Sequence, residues 1–153
     1  MLTELLKCGA APGKKTGEGE TCYHLAVRNN TLDCLALLLK FSPRNTEVNT
    51  FNDKGPSMTN FLLFLNLNLS IPGQTPLHMA VLSGNQALVK TLLAFGVNPD
   101  VQEVRCGKTG LFLAVEAGHQ AIAEILLCYG ASLTTSTYSG ATPASLASEH
   151  NRN

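Results

Sequence analysis

Apolar residues recur along this chain at helical intervals, most completely between Gly73 and Asp100, GQTPLHMAVLSGNQALVKTLLAFGVNPD. Leu77, Ala80 and Val81 fall three and four residues apart, which places them on one face of a short helix. Thr75 has the side chain of a helix cap, and Pro76 suits a first helical position, where no amide hydrogen is needed. Gly84 is able to take the left-handed conformation that ends such a helix. Leu88, Val89, Leu92 and Leu93 then form the buried stripe of a second helix, which Gly96 stops in the same way. Val97-Asn98-Pro99-Asp100 has the chemistry of a turn. The predicted unit is helix, turn, helix, loop.

The unit repeats. Thr75 is followed by Thr109 and Thr142, at spacings of 34 and 33. Leu92-Leu93 before Gly96 recurs 34 residues later as Leu126-Leu127 before Gly130. Upstream, Leu5-Leu6 before Gly9 and Leu38-Leu39 before Ser42 lie 33 apart. In period and element order the unit resembles the ankyrin repeat, which implies an all-α solenoid whose stacked helix pairs share one continuous core. We divide the single domain 1–153 into a partial repeat 1–19, a repeat 20–55, an insertion 56–73, repeats 74–106 and 107–139, and a partial repeat 140–153. In the repeat that opens at Thr21, Asn29-Asn30 stand where the helix-ending glycine is expected, asparagine being tolerant of positive φ. In repeat 107–139 the expected core is Leu111, Ala114, Val115, Ile122, Ile125, Leu126 and Leu127. The first nine residues look like the second helix of a repeat that starts upstream. The last repeat stops before a second helix forms, as a cap or a truncation would.

The insertion breaks the period, since Thr21 to Thr75 is 54 residues. Asn49 to Gly55 already has the form of a complete inter-repeat turn, and eighteen residues, PSMTNFLLFLNLNLSIPG, separate it from Gln74-Thr75-Pro76. Eighteen codons leave the reading frame intact, so the block has the properties of a retained short intron. The alternative is a long finger loop exposing Phe61, Leu62, Phe64 and Leu65 as an aggregation-prone strand. Absence of a spliced transcript across codons 55–74 would establish the insertion as real.

Charge narrows the partners. Eleven basic and eleven acidic residues leave no net charge, so neither nucleic acid nor an anionic membrane has an electrostatic footprint here. The apolar run Phe61–Leu65 is too short to span a bilayer, and the N-terminus lacks a signal-peptide pattern. Five cysteines (8, 22, 34, 106 and 128) with no C-x-x-C are expected to be reduced thiols, with Cys34 and Cys128 packed in second helices. A soluble, intracellular monomer is expected, with no cofactor and no metal.

His24 and His78 occupy one repeated position beside a helix start, and His119 lies ten residues after Thr109. The repetition favours a structural use, with the ring bonded to the threonine hydroxyl and loop backbone, over a catalytic one. Phe112 and Ser145 replace it in the last two repeats, predicting loops held less firmly. The motifs of serine hydrolases, zinc proteases and P-loop enzymes are absent, Gly17-Glu-Gly19 is no nucleotide signal, and no enzyme activity is expected.

Function is written in the loops, because this fold alone binds very different partners. Asn98-Pro-Asp-Val-Gln102-Glu103-Val-Arg-Cys106-Gly107-Lys108-Thr109 is longer than the usual inter-repeat turn. That loop, the turn Thr137-Tyr138-Ser139-Gly140 and the NDKG ahead of QTPLH resemble the inhibitor-of-NF-κB (IκB) family and the ankyrin half of NF-κB precursors. The resemblance implies a stack that binds a Rel-homology transcription factor in the cytoplasm during innate immune signalling, with passage to the nucleus left open. A serine-bearing degradation sequence and an acidic tail rich in Pro, Glu, Ser and Thr, both expected of that family, are missing from these residues. A short stack of this kind is also similar to the IκB mimics of some insect viruses. A general adaptor, such as a substrate-recognition stack of a ubiquitin ligase, is the other alternative.

The resemblance and the helical register together give the candidate protein-binding residues. Arg28, Asn29, Leu82, Ser83, Glu116 and Ala117 are expected on the concave side of the first helices. Asp100, Gln102, Glu103, Arg105 and Tyr138 come from the loops. Asp100, Glu103 and Glu116 are expected to make a solvated acidic edge, with Glu103 free to pair with Arg105.

Overall fold

A computed structural model of the chain describes residues 13–17, 19–41 and 73–150. The half-repeat expected at 1–9, the turn 49–55 and the block 56–72 lie outside them. Among these residues seven helices follow in order: α1 (Cys22–Arg28), α2 (Leu32–Phe41), α3 (Pro76–Leu82), α4 (Gln86–Ala94), α5 (Gly110–Glu116), α6 (Gln120–Cys128) and α7 (Pro143–His150). No strand occurs among the described residues.

The helices pair within each repeat and stack between repeats. One row is α1, α3, α5 and α7, and the other is α2, α4 and α6. Both rows run on from α1 and α2 to α3 and α4, although 42–72 separate these pairs along the chain. The core between the rows holds Tyr23, Leu35, Leu77, Leu88, Leu92, Leu111, Ile122 and Leu126, all fully buried. Each such side chain contributes roughly 1.5–3 kcal/mol by leaving water. Ala80 and Ala114, also fully buried, keep the first helices close to their neighbours.

Each repeat starts in the same way, for a reason visible in atoms. Thr21, Thr75 and Thr109 are extended N-cap residues. The Thr75 amide donates to Nδ1 of His78 at 3.2 Å, and the Thr75 hydroxyl meets the same nitrogen at 2.8 Å. The usual Glu or Gln of a capping box is thus replaced by histidine. Because Nδ1 accepts, the hydrogen-bond network assigns the ring proton to Nε2, which donates to the carbonyl of Val101 at 3.0 Å. Burial lowers the His78 pKa from 6.5 to about 4, against the opposing pull of the Val101 carbonyl and the Glu103 charge. His24 repeats the arrangement with Thr21, at 3.1 and 2.8 Å, and its Nε2 donates to Gln74 at 3.2 Å. These rings therefore tie each helix start to the backbone that leads into the next repeat.

The expected substitution at Phe112 behaves differently. Its ring is buried, its amide donates to the Thr109 hydroxyl at 3.3 Å, and it offers no polar atom to the following loop. Ser145 keeps the local tie, accepting from the Thr142 amide at 3.0 Å.

The helix-ending positions take positive φ, with Gly84 at 69° and Asn30 at 54° standing in for glycine. Of the expected core, Val115 and Ile125 are only partly buried against it, and Leu127 is 41% exposed, although its counterparts Leu39 and Leu93 are buried. Those two are covered by the next second helix, and among the described residues α6 has none after it. Cys128 is likewise exposed rather than packed, whereas Cys34 does rest against the core.

Candidate protein-binding surface

Arg28, Leu82 and Glu116 are the last residues of α1, α3 and α5, and Asn29, Ser83 and Ala117 are their C-caps. All six are exposed. They come into register because the first helices have equal length and pack side by side. Ser83 turns its hydroxyl back to the Ala80 carbonyl at 2.9 Å.

Two of the six take part in ion pairs that sequence reading missed. Arg28 Nη1 lies 2.8 Å from Glu20 Oε2, and Glu20 is almost wholly buried. Lys108 Nζ binds both carboxylate oxygens of Glu116, at 2.7 and 2.8 Å, and sits 5.5 Å from the centre of the Phe112 ring. Glu20 and Lys108 both immediately precede a capping threonine, eight residues before their partners. Gln74 and Leu82 hold the same two positions in the intervening repeat. The signal was legible as opposite charges at a fixed offset, in reversed order.

The loop 97–107 departs further from expectation. Glu103 is buried, and its carboxylate accepts from the backbone amides of Arg105, Cys106 and Lys108 at 2.7, 2.6 and 3.2 Å. The carboxylate folds the turn around itself, so the solvated acidic edge drawn from the sequence is corrected here. Arg105 is exposed, and what it gives Glu103 is its amide. Asp100 is half-buried and its Oδ1 accepts from the Ser132 amide at 2.8 Å. Gln102 Nε2 donates to Gly107 and Ser136 carbonyls at 2.8 and 2.9 Å.

These bonds lock neighbouring loops together. The Val104 amide donates to Gly73 at 3.1 Å, and the Tyr138 amide donates to Cys106 at 2.9 Å. Gly73 and Gly107 sit at φ of 79° and 71°, and a Cβ on either would collide with Val104 or the Tyr138 ring. Outward at the tips are the large apolar side chains of Val104, 55% exposed, and Tyr138, 65% exposed, together with Arg105. Val104 was not anticipated, and its only sequence signal is the spacing of 34 from Tyr138.

The arrangement offers two binding elements, the ends of the first helices and the loop tips, on a rigid scaffold. Among the described residues no cluster of His, Cys, Asp or Glu is placed to hold a metal ion, and no helix is long and apolar enough to cross a membrane.

Comparison with known families fits this geometry. A model of ankyrin repeats (three copies) matches residues 1–103, 48–137 and 77–153. The chain belongs to the ankyrin-repeat family. An ankyrin stack is a protein-interaction module, and its partners are expected to be proteins. The putative palmitoyltransferase ZDHHC13 of Danio rerio is 31% identical over 117 residues, which cover 67% of this chain and 18% of that protein. The ankyrin chain therefore spans less than a fifth of that relative.

Proposed function

We propose that this ankyrin stack binds a Rel-homology transcription-factor dimer and retains it in the cytoplasm in innate immune signalling, in the manner of the IκB family. The observation that supports this most is the register of exposed residues at the ends of α1, α3 and α5 beside a bonded ladder of loop tips. In this reading Arg28, Asn29, Leu82, Ser83, Glu116 and Ala117 meet the partner along the helix row, and Arg105 and Tyr138 meet it at the tips. Asp100, Gln102 and Glu103 act indirectly, by holding the loop in its shape.

The test is biolayer interferometry of the purified chain against a Rel-homology dimer. Binding at micromolar Kd or tighter, about −8 kcal/mol, is expected. Leu82→Asp and Tyr138→Ala should each weaken it while leaving the circular dichroism unchanged. Absence of binding by the folded chain rejects the Rel partner.

The similarity to a putative palmitoyltransferase favours a second reading, in which the stack holds substrate proteins for an acyltransferase centre in a longer chain. Co-expression with ZDHHC13 substrates would separate the two: substrate capture without Rel binding supports the second reading.

A further inference from the structure

The two ion pairs of the first-helix row point their charges in opposite directions. At the α1 end the acid is underneath and the base outward, since the Glu20 side chain is 3% exposed and that of Arg28 31%. At the α5 end the more exposed partner is the acid, Glu116 at 47% against Lys108 at 27%. Between them Leu82 is 37% exposed on α3, which packs directly against both α1 and α5. A molecule approaching the row meets a guanidinium, an apolar side chain and a carboxylate, one repeat apart. Asn29, Ser83 and Ala117 alongside add small uncharged groups and no competing charge.

Packed helices lie about 8–10 Å apart. An extended chain covers roughly that distance in three residues, at about 3.3 Å each. We infer that this row reads an extended segment of a partner protein carrying an acidic, a large apolar and a basic side chain at three-residue intervals. The acidic group lies over Arg28, the apolar one over Leu82 and the basic one over Glu116. The pattern rests on the protein-binding reading above and gives its partner a chemistry. Opposed dipoles also give register: moving the segment by one repeat puts a charge over Leu82 and an apolar group over an ion pair. Each exposed charge contact adds little affinity by itself, so the charges act chiefly on register and association rate.

The experiment pans a random dodecapeptide library against the folded wild-type chain. Enriched peptides should carry an acid and a base three residues to either side of a large apolar residue. A synthetic peptide from that pool, labelled with fluorescein, is then titrated by anisotropy. Glu116→Arg should weaken it about two- to fivefold, and the same variant should enrich peptides with an acid at both ends. Because Glu116→Arg leaves two cations side by side, the pair Lys108→Glu with Glu116→Arg repeats the test with an ion pair restored. Lys90→Glu, on the second-helix row, should change nothing. Replacing Glu20 by Gln together with Arg28 by Leu gives α1 the neutral pair found at Gln74 and Leu82, and should abolish the demand for an acid. Peptides that need Leu82 but show no charge order overturn this inference and leave the protein-binding reading standing. Failure to enrich any peptide on the folded chain overturns it also, while Rel binding decides the parent reading separately.

Discussion

Replacing Glu103 by alanine removes the carboxylate around which the loop between the second and third described repeats is wound. Three backbone amides lose a charged acceptor: Arg105 at 2.7 Å, Cys106 at 2.6 Å and Lys108 at 3.2 Å. A hydrogen bond to a charged group contributes about 1.5–3 kcal/mol. Arg105 and Cys106 are exposed, so water replaces the carboxylate for their amides and recovers much of that. The long 3.2 Å bond from Lys108 contributes least. A total cost of about 3 kcal/mol follows, below the sum of three full bonds. In a chain of this size each kcal/mol moves Tm by about 2–4 °C, so a fall of roughly 6–12 °C is expected. Thermal unfolding followed by far-ultraviolet circular dichroism reads it, with urea midpoints as a second measure because repeat stacks need not unfold in one step. Glu103→Gln should also destabilise, since its amide group turns a donor toward donors. A fall below about 2 °C for Glu103→Ala would refute the structural role and return the residue to the exposed acidic edge read from the sequence.

Three further outcomes are expected. Stability should fall with acidification, because the His78 pKa drops from 6.5 in the unfolded chain to about 4 in the fold. The unfolded state then binds more protons between those values, so about 3 kcal/mol, fully present above pH 6.5, is lost as pH falls toward 4. Comparing Tm at pH 7 and pH 4.5 in the wild type and His78→Asn checks it, the variant being less stable throughout but flatter in this window. Gly73→Ala should cost more than Gly107→Ala: both strain a positive φ, but the first drives a Cβ to 2.8 Å from the Val104 Cβ, fixed to its backbone. The second meets a 65% exposed Tyr138 ring that is able to swing aside, leaving about 1 kcal/mol of backbone strain, and urea titration ranks the two. Leu93→Ala should lose about 2–5 kcal/mol as a core truncation, whereas Leu127→Ala at the equivalent position should lose under about 1 kcal/mol, again by urea titration.

The positions that determine the repeat itself are legible without coordinates. Thr75, Pro76 and Gly84 set the ends of α3 through local bonding and permitted φ, and Leu77, Ala80 and Val81 set its buried side through spacing alone, as Leu88, Val89, Leu92 and Leu93 do for α4. The paired use of Thr and His could be read as structural because it recurred, and the structure supplies the Nε2 bonds to Val101 and Gln74 that the repetition implied. Such properties depend on neighbours within a few residues, so the sequence contains them.

Glu103, Leu127 and Arg28 depend on more distant parts of the molecule. Whether a carboxylate in a polar loop is solvated or buried depends on where the amides of Arg105, Cys106 and Lys108 turn, and that turn is itself pinned by Gly73, Ser136 and Tyr138 from other loops. Leu127 carries the same local pattern as Leu93 and differs only in lacking a covering helix among the described residues. Read from the sequence, Arg28 has no partner and Glu116 belongs to an acidic edge, whereas the packing puts each beside an opposite charge eight residues back. Local bonding and helical periodicity determined the ankyrin repeat from the sequence alone. Which charges are sunk and which face outward was decided by the stacking of one repeat on the next, because burial is a property of the neighbour that covers a residue.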